Sequence, residues 1–189
     1  EPIGSLVELI DYFRVGEKPP SRWRVGTEHE KFGVYSDTGE RVPYEGERGI
    51  GVLLGRIARA DGWDPVEEGK NLIALRKDGA SITLEPGGQL ELSGAPLATS
   101  RDTCREFARH VELVKRESAA LGISWLALGV DPIHPVSEIP RMPKGRYAIM
   151  SDYLPTRGGH ALHMMHATAT VQANFDFSDE ADMARKMRT

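Results

Sequence analysis

The sequence predicts an α+β fold, an antiparallel sheet with helices packed behind it. Three stretches alternate polar and apolar residues with the period of a strand, and two longer ones repeat apolar residues with the period of a helix. A Pro86-Gly87-Gly88 turn between two of the alternating runs makes part of the sheet a hairpin, and therefore antiparallel.

Taken in order, "GSLVELIDYF" opens the chain with Ser5 and Glu8 at capping-box spacing. Leu6, Leu9, Ile10 and Phe13 follow as an apolar stripe. "GTEHEKFGV" (26–34) reads as a strand with Gly26, Glu28, Glu30 and Phe32 on one face, and His29 and Lys31 on the other. Two neighbouring carboxylates repel, and Glu and Gly are poor strand formers, so this strand calls for a reason beyond folding. Residues 45–62 form a helix with Ile50, Leu53, Leu54 and Ile57 inward.

"SITLEPGGQLELS" (81–93) is the most informative stretch. A three-residue loop pairs Glu85 with Gln89, Thr83 with Glu91 and Ser81 with Ser93. One face is then wholly polar, carrying Glu85, Gln89 and Glu91, while Ile82, Leu84, Leu90 and Leu92 face a core. Residues 99–121 are a second helix with Cys104, Phe107, Ala108, Val111, Val114 and Leu121 on one face and Gly122 as its stop. "ISWLALGV" (123–130) is a buried strand. A loop with Pro132, Pro135, Pro140 and Pro143 leads to "MPKGRYAIM" (142–150), where Lys144, Arg146 and Tyr147 cluster either as a basic surface turn or as an anion clamp. In "ATATVQANFDF" (167–177), Thr168, Thr170, Gln172, Asn174 and Asp176 share one face, and Ala169, Val171, Ala173 and Phe175 the other. The last stretch starts a helix at Ser178 and shows no C-cap signal, so the chain reads as the front part of a longer protein.

These strands raise a chemical question. Solvated sheet faces usually mix in Lys and Arg, yet the hairpin face and "TATVQANFD" carry acids, amides and hydroxyls with no cation. If the strands share a sheet, the rows form a floor of oxygen donors, and something positive belongs over it. Mg²⁺ takes oxygen ligands and is commonly held by a few carboxylates plus substrate phosphates. Glu28, Glu30, Glu85 and Glu91 are the candidate ligands of such a Mg–nucleotide site.

Other chemistries are weaker. His160, His163 and His166 have helical spacing but no cysteine nearby, so they read as ordinary histidines in a local helical turn. Cys104 reads as a buried structural thiol, Gly87-Gly88 as a turn, and there is no P-loop motif. The net charge of −4 over 189 residues, with scattered basic residues, argues against nucleic acid or an anionic membrane as partner. The pI near 5.9 agrees. No run approaches the ~18–20 apolar residues that span a bilayer, and no basic-then-apolar leader opens the chain. With a single cysteine, the expected setting is reducing and cytosolic.

"GTEHEKFG", "SITLEPGGQLELSGAPL", "MPKGRYAIM" and "TVQANFDFSDEADMARKMR" together resemble the glutamate–cysteine ligases of the plant and proteobacterial type. The resemblance implies a glutamine-synthetase-like antiparallel sheet whose face is the active-site floor, and makes residues 1–189 the N-terminal portion of one catalytic domain. It implies ATP- and Mg²⁺-dependent joining of glutamate to cysteine, the first step of glutathione synthesis, with further substrate-binding groups in the missing C-terminal half. It carries Glu28 and Glu30 over as metal ligands at the triphosphate and Glu85 and Glu91 as further ligands. Gln172 and Asn174 line the floor, and Arg146 binds substrate, with Tyr147 and Lys144 beside it. Two alternatives stay open: a γ-glutamyl ligase with another amine acceptor or pathway, such as ergothioneine synthesis, and a non-catalytic nucleotide-binding fragment. Many relatives read "RTCTVQVN" where this chain reads "ATATVQAN", so Ala167 stands in the place of an arginine. Cys104 resembles a position that forms a disulfide in plant members, its partner lying beyond Thr189.

Overall fold

The computed structural model describes residues 2–189. Its elements run α1 (Leu6–Val15), β1 (Val25–Tyr35), α2 (Ile50–Asp61), β2 (Asp64–Glu68), β3 (Asn71–Lys77), β4 (Ala80–Leu84) and β5 (Leu90–Ser93). They continue with α3 (Ser100–Ala119), β6 (Ile123–Leu126), α4 (Gly145–Tyr153), α5 (Ala161–Ala167), β7 (Val171–Phe175) and α6 (Glu180–Met187). The strands form one seven-stranded sheet in the order β2-β3-β4-β5-β1-β6, with β7 also paired to β1. Every pairing is antiparallel.

The length of β1 lets it serve three partners. Val25–His29 pairs with β7, Glu28–Lys31 with β5, and Phe32–Tyr35 with β6. The β4–β5 hairpin has the register expected from its alternation: Thr83 faces Glu91, Ser81 faces Ser93, and Glu85 N–H donates to Gln89 O at 2.9 Å. Its apolar face is the core. Leu75, Ile82 and Leu92 lie side by side on β3, β4 and β5, each no more than 1% exposed. The Ile50, Leu53, Leu54 and Ile57 stripe of α2 belongs to the same buried cluster. Burying each such side chain contributes about 1.5–3 kcal/mol, which fixes this face inward and leaves the polar face outward.

Several expected elements differ in detail. α2 begins at Ile50, five residues later than expected, with Gly49 as its N-cap. α3 is rotated from its expected face: Thr103, His110, Leu113, Val114, Glu117 and Ser118 are inward, and Cys104 is exposed rather than buried. The polar residues go inward because each finds a partner there. His110 Nε2 is 2.9 Å from Lys31 Nζ, Glu117 pairs with Arg56 at 3.3 Å, and the Ser118 hydroxyl donates to Val114 O at 2.7 Å.

The run 123–130 is strand only to Leu126, and Leu128 and Val130 are 45% and 57% exposed. α1 has its Ser5 cap, yet none of its residues is buried. Phe175 and Val171, expected inward, are 65% and 75% exposed, because β7 joins the sheet away from α2 and α3. α6 takes Asp179 rather than Ser178 as its N-cap.

Candidate active site

Directly opposed residues of an antiparallel pair point to the same face. Glu28 therefore shares its face with Ser93 and Gln172, and Glu30 with Glu91, which in turn faces Thr83. Three adjacent strands and the end of a fourth place Glu28, Glu30, Glu85, Glu91, Gln172 and Asn174 on one surface, as the alternation predicted.

Three of the four carboxylates are held by a neighbour. Asn174 Nδ2 donates to Glu28 Oε1 at 2.9 Å. The backbone N–H and hydroxyl of Thr170 both donate to Glu30, each at 3.0 Å. Thr83 Oγ1 and Ser93 Oγ donate to Glu91 at 2.9 and 2.6 Å. Among the described residues no three His, Cys, Asp or Glu side chains are gathered into a ready cage for an ion. The four glutamates are nevertheless close enough to feel one another. Burial first, and then the Glu91 carboxylate, pushes Glu85 up to about 7 against the opposing pull of the Lys144 ammonium. Burial likewise raises Glu30, with Glu91 and Glu28 adding to it and Thr170 opposing. A set of oxygen donors in which Glu30 and Glu85 are raised by neighbouring carboxylates is chemically suited to a hard cation.

The "MPKGRYAIM" stretch lies against this floor. Lys144 Nζ and Tyr147 Oη both donate to Leu84 O, at 2.7 and 2.6 Å, and both residues are buried. They brace the end of β4, one residue from Glu85. Burial lowers the Lys144 pKa and pushes the Tyr147 phenol up to about 12. Arg146 is exposed and donates to Tyr147 Oη at 3.2 Å, leaving the rest of its guanidinium open. Glu68 caps this element from β2, accepting from Gly145 N–H at 2.7 Å. That contact spans 77 residues, and nothing in the local pattern announces it.

Two expected floor residues turn elsewhere. Gln89 is 1% exposed: its carbonyl accepts from Gly87 N–H at 2.9 Å, and its amide donates to Thr168 O and Met165 O at 2.6 and 3.2 Å. It sews the hairpin turn to α5. Asp176 instead holds Lys18 at 2.5 Å and Arg24 N–H at 2.9 Å. Gly87 makes a close backbone approach, but to His166 of α5: a Cβ there would sit 2.2 Å from His166 O. His166 is buried in α5, while His160 and His163 lie edge to face at 5.7 Å. Ala167 is buried, its carbonyl accepting from Asp131 N–H at 2.8 Å.

Arg41, which sequence reasoning passed over, reaches the same turn. It donates to Gly87 O and pairs with Asp131 at 2.7 Å, both side chains being 3% exposed. A separate cavity of about 660 Å³ lies behind the sheet, lined by Trp63, Leu92, Arg109 and His110, on the side away from the carboxylates.

An antiparallel sheet backed by helices, with glutamates from adjacent strands converging on its open face, defines an α+β protein with a carboxylate-floored site. The chain belongs to glutamate–cysteine ligase family 2, whose model matches residues 24–189. It is 50% identical over 188 residues to the chloroplastic glutamate–cysteine ligase of Medicago truncatula. It is 48% identical to ligase A of Oryza sativa subsp. japonica and to the ligase of Nicotiana tabacum, both also named chloroplastic. These matches cover 100% of this chain and 36%, 38% and 35% of the respective relatives, so the chain spans little over a third of their length. The expected cytosolic setting is contradicted by these relatives, which are named chloroplastic. A lone cysteine reports on redox conditions and not on the compartment that supplies them.

Proposed function

We propose that the protein containing this chain joins the γ-carboxylate of L-glutamate to the amine of L-cysteine at the expense of ATP, with Mg²⁺. The observation that carries this reading is the acidic floor: four glutamates on one face, with no Lys or Arg directed to that face from β1, β4, β5 or β7. The reading follows the activity named for the relatives.

In the first step a γ-carboxylate oxygen of glutamate attacks the γ-phosphorus of ATP, and ADP departs with the bridging electron pair. In the second the cysteine amine attacks the acyl carbon of γ-glutamyl phosphate. Inorganic phosphate leaves and the amine loses a proton. Glu28, Glu30, Glu85 and Glu91 would hold the Mg²⁺, which supplies charge neutralisation at the transferring phosphoryl group. Asn174 and Thr170 keep Glu28 and Glu30 in place, and Thr83 and Ser93 do the same for Glu91. Arg146 offers a planar fork to a substrate carboxylate, while Lys144 and Tyr147 fix the strand end that bears Glu85.

The test is ADP release by the full-length protein with Mg²⁺, ATP and glutamate, with and without cysteine. Cysteine-dependent release of one ADP per γ-glutamylcysteine is expected. ADP release that ignores cysteine, or that responds only to another amine, overturns the assignment.

A further inference from the structure

The reverse side of the acidic floor holds a buried cation. Thr27, His29 and Lys31 alternate with Glu28 and Glu30 along β1, and their face packs towards α3. Lys31 is the one Lys or Arg that β1, β4 and β5 turn to this face, among the core leucines Leu84, Leu90 and Leu92. It is 7% exposed. The partners of its ammonium among the described residues are His110 Nε2 at 2.9 Å and Leu90 O at 3.5 Å, with no carboxylate between them. Beside it the His29 ring stacks on Phe107 of α3 at 4.1 Å.

His110 answers to this cation. An ammonium has only donors, so the Nε2 facing it accepts, and the ring is assigned as neutral with its proton on Nδ1. Burial, and then the Lys31 charge, lower the His110 pKa to about 2, in agreement. Nδ1 is buried without a hydrogen-bond partner among the described residues. A buried orphan donor is unfavourable, so packing alone does not account for a histidine here.

A buried ammonium with no carboxylate beside it is itself unfavourable. Its counter-charges lie through the sheet. Lys31 follows Glu30 in the chain, and Leu90 O belongs to the peptide bond that joins Leu90 to Glu91. Glu91 and Glu30 are the carboxylates whose charge acts on the ammonium. They stand directly opposite each other on the other face.

We propose that Lys31, held by neutral His110, is the built-in counter-charge of the acidic floor. It offsets the repulsion between Glu30 and Glu91 when no metal is bound, and it weakens the floor's hold on a divalent cation, so that the metal stays exchangeable. The proposal rests on the ligase reading only in taking the floor as a cation site. Lys31 is a positioning residue, since its side chain points away from the face that bears the glutamates.

The experiment uses the full-length protein and its Lys31→Met, Lys31→Gln and Lys31→Arg variants. Mn²⁺ takes the same oxygen donors as Mg²⁺. It is titrated without nucleotide or amino acid, and the free ion is counted by electron paramagnetic resonance. Removing a positive charge from beneath the floor should tighten Mn²⁺ binding about 10-fold or more in Lys31→Met and Lys31→Gln. Lys31→Arg keeps the charge and should stay within about threefold of wild type. A merely structural role predicts the opposite sign, because a loosened β1–β5 pair spreads the carboxylates and weakens binding. Lys31→Gln retains polar groups for His110 and Leu90 O, and so serves where Lys31→Met does not fold. Unchanged or weaker binding in neutral variants that melt near wild type overturns the proposal and leaves the cation floor standing. Tightening in Lys31→Arg as well overturns it too, since shape and not charge would then be responsible. Tighter binding by the neutral variants of a protein that makes no γ-glutamylcysteine keeps the proposal and removes the ligase reading. No Mn²⁺ bound by wild type or any variant overturns both.

Discussion

Glu30 and Glu91 stand directly opposite each other on β1 and β5, with Glu85 close enough to Glu91 to be shifted by it. Like charges directly opposed in a sheet are destabilising by roughly 0.2–1 kcal/mol. Hydrogen bonds from Thr170, Thr83 and Ser93 hold the two carboxylates in the repulsive arrangement instead of letting them swing apart. Folding alone would favour an amide at either position. Glu30→Gln and Glu91→Gln should therefore melt at or above the wild-type temperature without Mg²⁺, while losing at least about 100-fold in ligation. Mg²⁺ should stabilise wild type more than either variant. Thermal melts with and without Mg²⁺, beside the ADP assay, check this; a variant that melts lower and keeps its activity would show the pair to be structural.

Glu85 gives the floor a pH signature. Its folded pKa is raised from 4.5 to about 7, so between those values the folded carboxyl keeps a proton that the unfolded one has released. Stability contributed by this group is thus present below pH ~4.5, falls as pH rises towards 7, and is level above it. Glu85→Gln should flatten that part of the metal-free stability curve, and a bound cation should flatten it too by favouring the ionised form. Denaturant midpoints of wild type and variant across pH 5 to 8 read the slope directly. Parallel curves would mean that Glu85 is not the group responsible.

The Arg41–Asp131 pair bears on the site from behind the turn. Burial alone would raise the Asp131 pKa, but hydrogen bonds from the His134 and Ile133 N–H groups, from Arg41 and from the His134 side chain hold it at about 2. Arg41 in turn grips Gly87 O, two residues from Glu85. Removing one member leaves the other charge buried without its counter-ion, at a cost of about 3–5 kcal/mol. Arg41→Met should show that loss in chemical denaturation. Arg41→Met with Asp131→Leu should recover much of it, because an apolar pair of similar size needs no counter-charge. A double variant as unstable as the single would show that the hydrogen bonds to Gly87 and His134 matter more than the charges.

How much of this was legible depends on which residues carry contrast. The 81–93 hairpin could be read down to Thr83 opposite Glu91, because strict alternation leaves one register that puts Ile82, Leu84, Leu90 and Leu92 inward together. The α2 stripe was legible for the same reason. β2 and β3 were missed, although Asp78-Gly79 between them and β4 is a hairpin signal, with φ of 50° and 84° fitting a tight two-residue turn. α3 was misjudged because only its apolar residues were counted, and His110 and Glu117 are inward through partners far away in sequence. Gln89 shows the limit most clearly. Its position in the hairpin follows from register, but the carbonyls of Met165 and Thr168 that draw it inward belong to an element 76 residues away or more.

Gly87 and Gly88 separate two reasons for a glycine in one turn. Gly88 has φ of 80°, a left-handed conformation that costs another residue about 1–2 kcal/mol. An added Cβ there would meet the flexible end of Met142 at 3.0 Å. Gly87 has no such backbone demand, but its Cβ would lie 2.2 Å from the His166 carbonyl oxygen, and that backbone belongs to a helix tied to the turn by Gln89. Gly87→Ala must therefore push α5 off the hairpin, and overpacking of this kind costs about 1–3 kcal/mol or more. The displacement should also loosen the Gln89 bonds. Gly87→Ala is expected to be the more destabilising of the two, and to lower ligation as well by shifting Glu85. Gly88→Ala should lose stability with turnover nearly intact. Melting curves and steady-state rates of both variants decide the matter; equal stability losses would mean that α5 yields easily, and that its packing on the turn does not position the floor.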